Sequence, residues 1–392
     1  MSSEPKVMIE RAIKDVIGDS CANLHEPYFD EYDSVSMARV LECGFVSSTG
    51  PFLDEFEQQL QIKTGARHAI AVVNGTCALA LALLASGVKP NTEVLLPALT
   101  FVATANSIIQ ASAIPHFVES ESASYGICCA SLRRYLEENC KLTNGKCINI
   151  SSGNVISAIV PVHVFGCVAD MTTLCKLAEE FNLLIIEDSA EALGSKHKGI
   201  HAGNFGESGA LSFNGNKIIT TGGGGAVITN DDAIADNARH IAAQAKMPHP
   251  YRYYHDQYAF NFRMPALNAA LGCSQLDKLD RFLNDKRTLT QAYMARFSVE
   301  ECCYFWQNQY TDTSNKWLNA IQLTPELESS RDSIIDHLHS QGLKCRPIWD
   351  LISNLPHLRG FPSMPLGNAR QLVANTINLP SSPFLIGANY AR

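Results

Sequence analysis

Four places in the chain join chemically useful residue types to the positions where an open sheet presents ligands, just past the carboxyl ends of its strands. Asn74-Gly75-Thr76-Cys77 follows the apolar run AIAVV and opens a helical stretch, where free N–H groups and the helix dipole favour a phosphate. Phe101 follows EVLLPALT, a position from which an aromatic ring stacks on a planar ligand. Asp188 ends LLIIED, and a half-buried carboxylate there costs energy unless it is hydrogen-bonded or charge-paired; a cationic ring nitrogen is one such partner. Lys217 stands in SFNGNKIITTGGGG, and the next charged residue after it is Asp231, so the amine is expected to be partly buried and nucleophilic.

Taken singly, each has an ordinary structural explanation: an N-cap, a core phenylalanine, a turn cap, a solvated lysine. Taken in order on successive strands, they describe a phosphate cradle, a stacking ring, a carboxylate and an amine. That set matches pyridoxal 5′-phosphate, which needs an anion site, a lysine for its Schiff base and a carboxylate to keep the pyridine nitrogen protonated. The same lysine, once displaced by an amino donor, is placed to shuttle the proton between the substrate carbon and the cofactor.

The elements that must position these residues alternate. Strands are predicted at 69–73, 93–96, 114–118, 156–162, 184–187, 210–213 and 226–229, with helices at 76–86, 101–111 and 171–181 between them. Runs such as AIAVV and LLII are apolar on both faces, as expected of a mostly parallel sheet covered by helices on both sides. After about Pro265 the strand density falls; helices are expected over 267–297 and 330–341, with strands in KWLNAIQL and LKCRPIW. The reading is an N-terminal helix and arm (1–30), a large α/β domain (31–265) and a smaller α+β domain (266–392).

Composition narrows the class. With 46% hydrophobic and 18% charged residues in 392, the chain can bury a large core, and a formal charge of −8 has the wrong sign for gripping nucleic-acid phosphates. Its 13 cysteines are scattered and lack Cys-x-x-Cys spacing, so they read as reduced thiols of a cytoplasmic protein, with no metal site. No apolar run approaches the length of a membrane span, and MSSEPKVMIERAIKDVIG has no signal-peptide core. The Walker spacing and the G-x-G-x-x-G fingerprint are both missing, which leaves phosphate-loop hydrolysis and Rossmann dinucleotide chemistry without support.

EDSAEALGS, GALSFNGNKIITTGGGGAVITND and FNFRMPALNAALGCSQLDKLD resemble the DegT/StrS-type nucleotide-sugar aminotransferases of the type I PLP fold. The likeness runs from about Pro27 to Pro380 through FVSSTGPFLDEFE, VVNGTCALALAL, LPALTFVATANSI and IVPVHVFGCVADM. QAKMPHPYRYYHDQYAFNFRMP, CRPIWDL and INLPSS are similar to the subgroup that makes 4-amino sugars for legionaminic acid and bacillosamine. The resemblance implies transfer of an amino group from L-glutamate to the C4 ketone of a nucleotide-linked 2-acetamido-4-keto-2,6-dideoxyhexose, most often UDP-linked.

Carried over by matching positions, Lys217 is the Schiff-base lysine, Asp188 the partner of the pyridine nitrogen and Phe101 the stacked ring, with Gly75, Thr76 and Ser212 on the phosphate. Asn261 matches a residue that reaches the neighbouring subunit's cofactor, which implies an isologous homodimer. Glu191 departs from the usual glutamine facing the cofactor's phenolic oxygen, where a carboxyl donates only when protonated. His163 and Arg346 are candidate sugar or nucleotide contacts. The Cys-rich stretch 120–154 is expected to be a surface connection. Two rivals remain: a PLP sugar dehydratase, against which stand Lys217 and the missing iron–sulfur spacing, and a non-catalytic binding protein on the same scaffold.

Overall fold

Cap chemistry places the first helices. In the computed structural model, which describes residues 4–311 and 313–386, α1 (Pro5–Ile17) opens on a proline whose missing N–H is not needed there. The ends of the expected arm and C-terminal domain, 1–3 and 387–392, lie outside the described residues. α2 (Glu31–Cys43) starts on a reciprocal capping box between Asp30 and Asp33. α3 (Pro51–Thr64) begins on proline and ends at Gly65, whose φ of 73° is the left-handed C-cap.

The α/β body follows as β1 (His68–Val72), α4 (Gly75–Ala85), β2 (Glu93–Pro97), α5 (Ala103–Gln110) and β3 (Ile114–Val118). Next come α6 (Cys129–Asn139), the hairpin β4 (Cys140–Thr143) and β5 (Lys146–Asn149), β6 (Val155–Ile159), α7 (Met171–Phe181) and β7 (Leu184–Asp188). The short pair β8 (Lys196–His197) and β9 (Ile200–His201) precedes β10 (Ser208–Ser212), β11 (Gly225–Thr229) and α8 (Asp232–Ala242).

The large sheet runs β1-β11-β10-β7-β6-β2-β3. β11 is antiparallel to both neighbours, and the pairs from β10 to β3 are parallel. All seven predicted strands are present within a few residues, because strands buried on both faces write continuous apolar runs. The run 156–162 stops as a strand at Ile159, and Val162 makes only an isolated bridge to Asp188. α4 is apolar around most of its circumference, with Ala78–Leu83 and Ala85 buried, so it lies against the sheet and under α5 and α8.

The stretch 120–154 is not the loose surface connection expected from its composition. It folds into α6 and the β4–β5 hairpin, and β5 pairs with β6. Asn149, Ser152 and Asn154 all donate to the buried Glu93 at the start of β2. The hairpin's outer face is exposed, and these three polar residues turn back to satisfy an internal carboxylate.

α9 (Ala266–Asp277) packs on α2 and α3 and leads into α10 (Leu279–Phe297). A second, antiparallel sheet follows from β12 (Cys303–Phe305) and β13 (Asn319–Leu323). After α11 (Arg331–Ser340) it adds β14 (Arg346–Pro347) and, after α12 (Gly367–Asn375), β15 (Thr376–Leu379), in the order β12-β13-β15-β14. The arm before α2 is tied to this sheet: Ser381 N–H donates to Leu24 O, Glu26 N–H to Ser382 Oγ, and Ala22 bridges Leu343. All 13 cysteines are free thiols, and no helix among the described residues is long and apolar enough to cross a membrane.

Candidate active site

A cavity of about 1070 Å³ opens at the carboxyl ends of the parallel strands, between the large sheet, the arm and the small sheet. Gly75, Thr76, Phe101, Asp188, Glu191, Ser212, Lys217 and Arg346 all line it. The phosphate end is built by close approach. A Cβ on Gly75 would lie 2.7 Å from Ser212 Cβ and 2.9 Å from its hydroxyl, so only glycine lets the helix start meet the end of β10. In the first turn of α4, Asn74 takes the N–H groups of Cys77 (through Oδ1, 2.8 Å) and Ala78 (through its carbonyl). Those of Gly75 and Thr76 are left for a ligand.

Asp188 is the last residue of β7 and is buried. Its Oδ2 accepts from Thr104 Oγ1 at 2.8 Å and its Oδ1 from the Ala190 N–H at 3.2 Å, which fixes the carboxylate plane at the cavity wall. Phe101 sits in the turn just before α5, two residues ahead of the helix it was expected to begin, and the residue is 56% exposed at the opening.

Lys217 is held on a tight turn after β10, its N–H donating to Asn214 O. Its Nζ lies 3.3 Å from Glu191 Oε1 and 4.0 Å from the centre of the Trp317 ring. Trp317 in turn donates its indole N–H to Asn216 O at 2.6 Å, so the ring clasps the lysine turn from the small-sheet side. Burial pushes the Glu191 carboxyl above the ordinary carboxylate range, against the opposing pull of Lys217. Its Oε2 accepts the Phe165 N–H at 2.8 Å, and Phe165 sits in the left-handed region at φ 56°.

Two predicted residues are not brought to the cavity. His163 is fully buried behind it: its Nδ1 accepts the Ala169 N–H, which puts the proton on Nε2 for Glu187 Oε2 at 2.9 Å. Glu187 also accepts from the N–H groups of Gly203, Phe205 and Gly206, so His163 belongs to a structural network. Asn261 is exposed on the single chain, where it bridges Ala243, and does not line the cavity.

Thr104 and Trp317 escaped the sequence reading. Thr104 had a signal, since Thr100 and Thr104 lie one helical turn apart beside the singled-out Phe101, and their hydroxyls are 3.0 Å apart. Trp317 had none; it comes from the far end of the chain. Arg346, which was singled out, is exposed on β14 and lines the cavity from the small sheet.

The residues therefore fit a flat, phosphorylated heteroaromatic cofactor that needs an amine and a carboxylate at opposite positions. A sequence profile of the DegT/DnrJ/EryC1/StrS aminotransferase family matches residues 27–392. The chain is 33% identical over 365 residues to the GDP-perosamine synthase of Vibrio cholerae, covering 92% of this chain and 94% of that one. Among solved structures it is similar to a DegT DnrJ EryC1 StrS aminotransferase from Brucella abortus, with a TM-score of 0.81 and 26% identity over 92% of each chain. It also shares the fold of Helicobacter pylori PseC, an aminotransferase involved in pseudoaminic acid biosynthesis, with a TM-score of 0.83 and 24% identity over 94% of this chain and 95% of that one.

Proposed function

Since the chain belongs to the DegT/DnrJ/EryC1/StrS aminotransferase family and is a pyridoxal 5′-phosphate enzyme, we propose that it aminates the C4 ketone of a nucleotide-linked 4-keto-6-deoxyhexose with L-glutamate as donor. The substrate we favour is a UDP-linked 2-acetamido-4-keto-2,6-dideoxyhexose, and the product a 4-amino-4,6-dideoxy sugar for surface polysaccharide or glycan synthesis. The observation that carries the reading is the position of Lys217, whose amine shares one cavity with the Asp188 carboxylate and the Gly75–Ser212 cradle.

The cofactor, when bound, supplies an electron sink for the pair released when the donor's C–H bond breaks. The chain's own residues do the rest. Gly75 and Thr76 N–H groups and Ser212 Oγ would hold the phosphate, Asp188 would pair with the ring nitrogen, and Phe101 would cover the ring. Lys217 Nζ moves the proton, and Trp317 limits the arc through which its side chain swings. Glu191, whose Oε2 is taken by the Phe165 N–H, would present Oε1 beside Lys217 Nζ to the cofactor's phenolic oxygen. Arg346 offers a planar fork to a phosphate or carboxylate of the substrate.

A homodimer accords with the large exposed apolar side chains on α2 and its flank, among them Phe29, Tyr32, Leu41 and Phe45, and with Tyr251, Tyr253 and Tyr258 ahead of Asn261. In that assembly Asn261 would be the residue offered to the partner subunit's cofactor phosphate. A GDP-linked substrate is the second reading, favoured by the likeness to GDP-perosamine synthase.

The test has two parts. Borohydride reduction of the holoenzyme attaches the cofactor to the peptide carrying Lys217, and Lys217→Ala abolishes turnover while the fold survives. Mass spectrometry with glutamate and a panel of UDP- and GDP-linked 4-keto sugars then identifies the acceptor. Release of 2-oxoglutarate separates amination from dehydration; near-normal turnover in Lys217→Ala overturns the assignment.

A further inference from the structure

Two buried side chains on the cavity wall carry polar atoms without hydrogen-bond partners among the described residues. His25, in the arm, is 8% exposed, and neither ring nitrogen has a partner among the described residues. Asn378, on β15, is 4% exposed, and its Oδ1 is equally unpaired. Both line the same cavity as Lys217. Buried polar atoms without partners are rare and costly, and two on one wall call for an explanation outside the chain.

The wall that carries them is built, not loose. The backbones flanking His25 are tied at Leu24 and Glu26 to Ser381 and Ser382, just past β15. Lys286, fully buried beneath, donates to the carbonyls of Trp317 and Ser381. The His25 ring centre is 6.5 Å from that of Trp317, the residue that clasps Lys217. Asn378 pairs in register with Arg346. Burial, reinforced by Lys286 and Lys217, holds the imidazole well below its ordinary pKa, so it is neutral, with one donor and one acceptor.

We infer that His25 and Asn378 form a neutral recognition patch for an uncharged substituent of the acceptor sugar, a group that both donates and accepts hydrogen bonds. A hydroxyl and an acetamido group share that chemistry. An anion is a poor match, because it only accepts and would leave the acceptor nitrogen of His25 and Asn378 Oδ1 without a donor. The inference rests on the proposed sugar-aminotransferase reading and adds to it the residues that read the sugar ring, as distinct from the nucleotide.

The experiment compares wild-type holoenzyme with His25→Phe and Asn378→Leu, which approximate the original shapes and remove the polar atoms. Calorimetry measures binding of nucleotide-linked 4-keto sugars bearing 2-acetamido or 2-hydroxy groups, with the free nucleoside diphosphate as control. Each variant is expected to weaken sugar binding on the order of tenfold while nucleoside diphosphate binding is unchanged. Loss on the 2-acetamido arm alone identifies the amide, and equal loss on both arms a group common to the two sugars. The ligand-free variants are expected to melt at or above the wild-type temperature, since unpaired buried atoms have been removed.

Unchanged sugar binding, or equal loss for sugar and free nucleoside diphosphate, overturns the patch. So does a lowered melting temperature with unaltered sugar-to-nucleotide selectivity. Should His25→Phe not fold, His25→Leu, which also lacks the polar atoms, reads the same ratio. Wild-type enzyme that binds the sugar selectively yet forms no 2-oxoglutarate from glutamate sinks the aminotransferase reading and leaves the patch standing.

Discussion

Asn315 fills the space that any side chain on Gly166 would need: a Cβ there would fall 1.8 Å from Asn315 Oδ1. Asn315 uses that position to bind the turn that carries Glu191, donating to Glu191 O at 2.7 Å and Leu193 O at 3.0 Å. Its Oδ1 accepts the Trp317 N–H at 2.9 Å, so one amide couples the two residues that flank Lys217.

Gly166→Ala is therefore expected to destabilise the protein by about 2–3 kcal/mol, through overpacking and through a φ of 81° that alanine rarely adopts. Denaturant midpoints measure the loss, and retention of cofactor absorbance through gel filtration measures its effect on the site. A variant as stable as wild type that keeps its cofactor would show that Asn315 can move freely.

Thr104→Val removes the donor at 2.8 Å from Asp188 Oδ2 while keeping the shape of the side chain. A hydrogen bond to a charged group contributes about 1.5–3 kcal/mol, so cofactor affinity should fall roughly ten- to a hundredfold, with Thr104→Ser close to wild type. Fluorescence titration of the apoenzyme decides it; equal affinities for Val and wild type count against a positioned carboxylate.

Glu191→Gln removes a carboxyl whose pKa burial has raised. The folded chain keeps that proton at pH values where the unfolded chain has released it. The carboxyl's contribution to stability therefore falls as pH rises from 4.5 toward its raised value. Gln does not titrate, so the variant should gain stability relative to wild type across that window and hold the gain above it. Parallel melting curves from pH 4 to 8 would refute the protonation argument.

Glu93 shows the opposite sign. Despite full burial, His116, Ser152 and Asn149 hold its pKa down from 4.5 to about 2. The stability it supplies is present above the ordinary value and lost as pH falls from 4.5 toward 2, by roughly 3 kcal/mol at about 1.36 kcal/mol per unit. Glu93→Gln should flatten acid unfolding in that window and loosen the β4–β5 hairpin, which amide exchange at Asn149–Asn154 reads. An unaltered acid limb contradicts the network.

The large sheet was legible because its strands are buried on both faces and its ligand-facing residues follow each strand end; Asp188 and Lys217 could be singled out on those grounds alone. The β4–β5 hairpin was not, because its order comes from polar groups meeting Glu93, a contact 56 residues away for Asn149. His163 drew attention as a residue just past a strand, yet which way its ring turns depends on Glu187, and local sequence does not carry that. His25 and Asn378 gave no local signal at all, since their shared wall is assembled from opposite ends of the chain.

That last arrangement bears on biosynthesis. Leu24 waits for Ser381 and Glu26 for Ser382, so during translation the wall can close only after Ser382 has left the ribosome. The strand ends that carry Gly75, Asp188 and Lys217 are all synthesised by then. A product terminated before Ser381 would keep those residues yet have no means of closing the wall that carries His25 and Asn378.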